Sequence, residues 1–246
     1  MIRYLRKLIP EQAAEYDKIV NFGAYTRDAW VAEKAASVPA GSRVLDAGAG
    51  QCPYRKLFQH CEYRTQDLAR YSGTSTGVSV ENWVYGRIDY VSDIVAIPVD
   101  DRSFDVVLCT EVLEHVPNPV GALSEFGRIL RPGGRLLLSA PLGSGLHQEP
   151  FHFYGGFTPH FYRKFLKEAG MQSLEIRAIG GLLKHTGQEM HRVGRLLALE
   201  PKTLRNLILS VLLQYWLPRE FARREERGAL FEEFTVGYLI DAIKGE

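Results

Sequence analysis

Residues 146–154, LHQEPFHFY, gather two imidazoles and a carboxylate among aromatic rings. Histidine titrates near neutral pH. His147 or His152 could therefore take the proton of a hydroxyl as that oxygen attacks an electrophile, with Glu149 orienting the ring. The blander reading is a loop whose imidazoles and rings only hold it in place. As metal ligands, His147, Glu149 and His152 lack the i, i+4 helical spacing of a zinc site, because Pro150 lies among them, and no metal is expected. A second constellation is Asp46-Ala47-Gly48-Ala49-Gly50, placed where a buried strand hands over to a helix. Glycines there let the backbone approach a ligand closely, and a helix N-terminus offers unpaired N–H groups. Nineteen residues past Gly48, Asp67 ends the next β-rich run, at the interval of an acid that accepts hydrogen bonds from a ribose diol. A dinucleotide fingerprint would need a third glycine where Pro53 stands, which argues against nicotinamide or flavin.

The elements that must carry these residues alternate. Strands are predicted over 43–47, 62–67, 88–91, 104–109, 135–139 and 174–179, with helices over 54–60 and 120–130 between them. Thr158-Pro159 reads as an N-cap followed by proline at the first helical position, and Gly170 as the glycine that ends that helix. Residues 1–40 read as N-terminal helices, 41–180 as the binding core, 183–228 as a helical insertion, and 234–243 as a last strand, all within one domain.

Together these segments resemble the class I S-adenosylmethionine-dependent methyltransferases. The likeness rests on VLDAGAGQCPY at 44–54, Asp67 at the end of the second strand, Asp93-Ile94 after the third, CTEVLEHVPNP at 109–119 after the fourth, and ILRPGGRLLLSAP at 129–141 entering the fifth. FTVGYLIDAIKG at 234–245 is similar to the family's last strand. The resemblance implies a Rossmann-like α/β fold with a seven-stranded sheet ordered 3-2-1-4-5-7-6, strand 7 antiparallel. The helical insertion would lie between strands 6 and 7. It also implies that S-adenosyl-L-methionine is the cofactor. By position, Asp46, Ala47, Gly48, Ala49 and Gly50 would hold its methionine part, Asp67 and Leu68 its ribose, and Asp93 and Ile94 its adenine. Thr110, Glu111 and His115 would line the floor near the methyl group. The expected reaction is methyl transfer to an oxygen of a small-molecule or sugar (glycan) acceptor. The rivals are a quinone- or polyketide-type acceptor, or a regulatory or assembly subunit that binds the cofactor without turnover.

Composition narrows the partners. The 246 residues carry 30 basic and 29 acidic side chains, a balance that advertises no polyanion. Residues 109–119 hold neither the D/N-P-P-Y/F segment used on flipped bases nor a Pro-Cys nucleophile, so nucleic acid is not the expected acceptor. Cys52, Cys61 and Cys109 have no disulfide or zinc spacing and read as reduced thiols, and no secretory signal is evident, which together point to a cytoplasmic protein. Residues 204–217 are apolar around much of a helix yet too short to span a bilayer. Leu204, Leu207, Ile208, Val211, Leu212 and Tyr215 form one stripe, which is expected to be buried, to make a homodimer, or to lie on a membrane surface.

Overall fold

The computed structural model describes residues 10–73, 83–201, 203–228 and 231–246, with side chains from residue 15 onward. The chain divides into two compact units, one made of residues 29–177 and 237–246, the other of residues up to 28 together with 178–236. Part of the glycine- and serine-rich stretch after Asp67 lies outside the described residues.

The first unit holds the sheet. Its strands are β1 (Arg43–Ala47), β2 (Glu62–Asp67), β3 (Tyr90–Val91), β4 (Phe104–Thr110), β5 (Leu130–Pro141), β6 (Met171–Ala178) and β7 (Gly237–Lys244). They run in the order β3-β2-β1-β4-β5-β7-β6, as expected. β1, β2, β3, β4 and β5 are parallel where paired, and β7 is antiparallel to β5. Val44, Leu45, Val107, Leu108, Cys109, Leu136, Leu137 and Leu138 are completely buried, so these strands read as continuous apolar runs, as parallel strands covered on both faces must. Charge ties β7 to β5: Asp241 on β7 accepts from Arg135 Nε at 2.7 Å and pairs with Lys34 at 2.7 Å.

Helices take their registers from local chemistry. In chain order the first four helices are α1 (Pro10–Val20), α2 (Phe22–Ala36), α3 (Pro119–Ile129) and α4 (Pro159–Glu168). Asn118 caps α3 by accepting from the Gly121 N–H at 2.9 Å, and Ala122, Leu123, Phe126 and Ile129 form its buried face. Thr158 caps α4 by accepting from Phe161 N–H at 3.3 Å, and Gly170 leaves it at φ 82°. Glu125, buried on α3, accepts from Ile97 N–H at 2.7 Å and binds Arg128, which also donates to the carbonyls of Ile97 and Val99. That clamp fixes the segment following β3.

Several sequence readings change, among them the strands expected over 88–91, 135–139 and 174–179, which are Tyr90–Val91, Leu130–Pro141 and Met171–Ala178. The helix expected over 54–60 is a single 3-10 turn, Arg55–Phe58. Cys52 enters it at φ 57° and Pro53 follows, a backbone that does not run directly into a helix. The last strand starts at Gly237, not 234, because residues Glu232–Phe234 close a 3-10 turn and Thr235 donates its hydroxyl to the Ile179 carbonyl at 2.7 Å.

The second unit holds α5 (Leu182–Leu197), α6 (Leu204–Val211), a π-helical turn at Leu212–Trp216 and α7 (Leu217–Glu226). The π turn has a local cause. Pro218 has no N–H to give the Gln214 carbonyl, and His191 Nδ1 meets that carbonyl instead at 3.1 Å. Of the three placements expected for the apolar stripe, burial within the chain does not occur: Leu204 is 73% exposed and Ile208 50%. Ser210 and Gln214 are buried instead, both donating to the Gly194 carbonyl of α5. Gly194 lets them in, since a Cβ there would stand 2.8 Å from Gln214 Cγ. Among the described residues no helix is long and apolar enough to cross a membrane.

Candidate active site

At the carboxyl ends of β1, β2, β4 and β5 the backbone leaves ordinary geometry four times. Cys52, Ala69, Glu111 and Gln148 all have φ between 50° and 57° without being glycine. Such conformations persist only where surroundings impose them, and they gather at ligand sites. All four lie in the loops that follow these strands.

Gly48 (φ 72°) and Gly50 (φ 51°) make the turn after β1. A Cβ on Gly48 would come within 2.5 Å of Val112, and one on Gly50 within 2.8 Å of Trp83, so glycine is required on steric grounds as well. The turn differs from expectation in its donors. Gly48 and Ala49 N–H groups both donate to the Gln66 carbonyl, at 2.8 and 3.0 Å, and Gly50 N–H donates to Asp67 Oδ2 at 2.9 Å. β2 thus satisfies N–H groups that sequence reasoning left for a ligand. With only a 3-10 turn following, the helix-dipole argument also falls away. The turn supplies shape and close approach.

Asp46, at the end of β1, is buried, and its carboxylate accepts from the Tyr63 hydroxyl. Burial lifts Asp46 to about 7, with Asp67 adding repulsion. Asp67 is half-buried; its Oδ1 accepts from Ala69 N–H at 2.8 Å, and each oxygen keeps a further lone pair. Leu68 beside it is exposed. Asp93 is exposed and turns its carboxylate onto Val95 N–H at 3.1 Å, whereas Ile94 is buried. These residues fit a nucleoside: a carboxylate with spare acceptor capacity ends β2, and an apolar side chain stands after β3. Thr110 ends β4, and Glu111 accepts from Ser139 Oγ at 2.7 Å, tying it to β5.

The feature that sequence reasoning missed is where His115 goes. It meets both loop histidines, with ring centroids 4.7 Å from His147 and 5.7 Å from His152, while His147 and His152 are 4.5 Å apart. The cis Glu149–Pro150 peptide lies in the same loop. His115 Nδ1 is 2.8 Å from the Phe151 carbonyl and His147 Nδ1 is 2.8 Å from the Gly145 carbonyl. His152 Nε2 lies 3.1 Å from Ser144 Oγ, whose own proton goes to the Gly155 carbonyl. Backbone carbonyls and Ser144 meet the rings directly, and Glu149, the expected orienting carboxylate, is exposed. Glu114, buried next to His115, places Oε1 3.8 Å from His115 Nε2. Burial pushes His115 down to about 4, and the neighbouring imidazoles push the same way; His152 is lowered by burial and by His147. The EVLEH segment at 111–115 held the available signal, an acid–histidine pair just past a strand end. Nothing in the sequence says that the loop after β5 folds back over it.

Comparison with known proteins agrees with this architecture. A family model described as a methyltransferase domain matches residues 45–138. A ubiquinone biosynthesis O-methyltransferase from Xanthomonas oryzae pv. oryzae is 30% identical over 166 residues, covering 58% of this chain and 67% of that enzyme. Among solved structures, phosphoethanolamine N-methyltransferase 2 of Haemonchus contortus, in complex with S-adenosyl-L-methionine, superposes with a TM-score of 0.53 at 14% identity. It covers 90% of this chain, which spans only 53% of that enzyme. A SAM-dependent methyltransferase from Archaeoglobus fulgidus gives a TM-score of 0.51 at 17% identity, covering 89% of this chain and 94% of its own. Sheet order, strand-end glycine turn and these relatives converge: the chain belongs to the class I S-adenosylmethionine-dependent methyltransferases and is an enzyme that uses that cofactor.

Proposed function

We propose that the protein methylates a hydroxyl group on an aromatic quinone precursor. The carrying observation is the group of three imidazoles, 4.5 to 5.7 Å apart, that the segments after β4 and β5 build. Imidazoles at a strand-end site suit an acceptor that must lose a proton, and hydroxyls are poor nucleophiles until they do. The relative named for O-methylation in ubiquinone biosynthesis favours the quinone-type acceptor over the sugar or glycan acceptor of the first reading.

In this reading Asp46 to Gly50 shape the methionine site, Asp67 accepts from the ribose hydroxyls with Leu68 beside them, and Ile94 packs on the adenine with Asp93 at its rim. Thr110, Glu111 and His115 form the floor near the methyl. The bound cofactor supplies an electrophilic sulfonium methyl group. The chain's task is to align the acceptor oxygen with it, exclude water and take the proton. His152 suits that last role: Ser144 can only accept from its Nε2–H, which leaves Nδ1 as the base. The hydroxyl proton would pass to that nitrogen as the oxygen gains the methyl, and the bound cofactor would supply that methyl and keep the electron pair of its C–S bond on sulfur. His147 stands beside it, held in orientation by Gly145, and Glu149 lies at the outer edge of the same loop.

Incubation with S-adenosylmethionine and a panel of hydroxylated aromatic and sugar acceptors, read by mass spectrometry, tests the assignment. A gain of one methyl on phenolic acceptors and none on sugars is expected. His152→Ala should cut turnover by about a hundredfold or more while leaving cofactor affinity intact. Methylation of sugars alone would overturn the acceptor class.

A further inference from the structure

We propose that Glu114, His115 and His147 form a binding site for a divalent transition-metal cation. One ligand atom from each lies within 4.8 Å of the other two, in a chain where sequence spacing alone pointed away from metal. The set is not the one weighed from sequence: Glu149 and His152 are replaced by the acid–histidine pair after β4.

The hydrogen bonds around the rings carry the argument. Carbonyl oxygens only accept, so His115 Nδ1 and His147 Nδ1 must both donate, to Phe151 and Gly145 at 2.8 Å each. That fixes both rings as the tautomer whose Nε2 bears the lone pair. Imidazoles that ligate metals are held in this way, with the far N–H on a backbone carbonyl or carboxylate. His115 Nε2 then faces Glu114 Oε1 across 3.8 Å. Two imidazoles and a buried carboxylate each bring a ligand atom to the same cluster, and a cation would bind all three. Two nitrogens and one oxygen suit zinc and its first-row neighbours better than magnesium or calcium. Three protein ligands leave a coordination position open, the pattern of catalytic sites. The inference rests on the methyltransferase reading for its role: a hydroxyl bound at the open position would ionise more readily, and His152, outside the ligand set, would remain to take the proton.

The test uses the full chain, stripped of metal with a chelator and titrated with zinc by calorimetry and against a chromophoric chelator. Each sample is also titrated with S-adenosylhomocysteine. Wild type is expected to bind one zinc per chain. His115→Ala and His147→Ala should each weaken it at least tenfold, while His185→Ala, in the helical unit, should leave it unchanged. Cobalt in place of zinc should give visible ligand-field bands that His147→Ala alters. No zinc binding with intact S-adenosylhomocysteine binding would overturn the metal site and leave the methyltransferase reading standing. Zinc binding unchanged in both histidine variants would place the metal elsewhere and overturn it equally. Loss of S-adenosylhomocysteine binding in wild type would count against the cofactor site instead.

Discussion

Asp46 and Asp67 lie at the ends of neighbouring strands and predict opposite experiments. Burial raises Asp46 to about 7, so the folded protein holds a proton there that the unfolded chain releases near 4. Between those values the unfolded state binds fewer protons, and stability falls as pH rises. Urea titrations of the cofactor-free protein should show that decline between pH 4 and 7, and Asp46→Asn, which can still accept from Tyr63, should flatten it. A wild type and variant with parallel pH profiles would mean that Asp46 is ionised in the fold. Asp67 acts on ligand rather than on proton. Losing a charged acceptor costs roughly 1.5–3 kcal/mol, so Asp67→Ala should weaken S-adenosylhomocysteine binding by roughly ten- to a hundredfold in calorimetry. Asp67→Asn, which keeps an acceptor for Gly50 N–H, separates loss of the turn from loss of the ribose contact. Both aspartates were legible in sequence, because strand ends and glycines announce them. The donors of the turn were not, because which N–H groups β2 takes is decided by pairing partners seventeen or eighteen residues away, Gln66 and Asp67.

Among the elements, the helices after β6 show where periodicity misleads. An apolar stripe from Leu204 to Leu212 has the spacing of a core face, yet the face that packs is Ser210 and Gln214. Periodicity measures which side chains share a side, not which side is covered. Small size at Gly194 and hydrogen bonds to its carbonyl decide the contact. Gln214→Ala should therefore destabilise by about 1–3 kcal/mol, through a cavity and the loss of its hydrogen bonds to the Gly194 carbonyl and Ser210. Ile208→Ser, at a half-exposed position, should cost less than about 1 kcal/mol. Denaturant unfolding of both variants checks the order; the reverse order would show the stripe to be covered. The strands behaved otherwise. β2 begins and ends where its pattern predicts, at Glu62 and Asp67, and β4 runs one residue further, to Thr110. Runs such as VVLC are apolar on both faces, and only a central parallel strand accommodates that.

At the scale of the molecule, the sheet order was legible because the order of motifs carried the family's topology with it. The division into two compact units was not, since no linker or shift of composition marks residues 28 and 178. The histidine group belongs to the same class of unreadable features. Its members are separated by 32 residues between His115 and His147, and only the return of the loop after β5 over the loop after β4 joins them.

The position of β7 has a consequence for how the protein is made. This strand is the last of the seven in sequence, yet it lies between β5 and β6. Until residues 237–244 leave the ribosome, β5 presents an apolar edge with its hydrogen-bonding groups open, and β6 has no neighbour in the sheet. The nascent chain thus holds an unclosed, sticky sheet through the whole synthesis of the helical segment 182–226, the interval in which chaperones guard against edge-to-edge association. Chains arrested on the ribosome before Gly237 should stay sensitive to protease across β5, and release of about forty residues beyond Lys244 from a C-terminal tether, enough to clear the exit tunnel, should bring protection in a single step. Protection of β5 before Gly237 emerges would show that the sheet closes by another route.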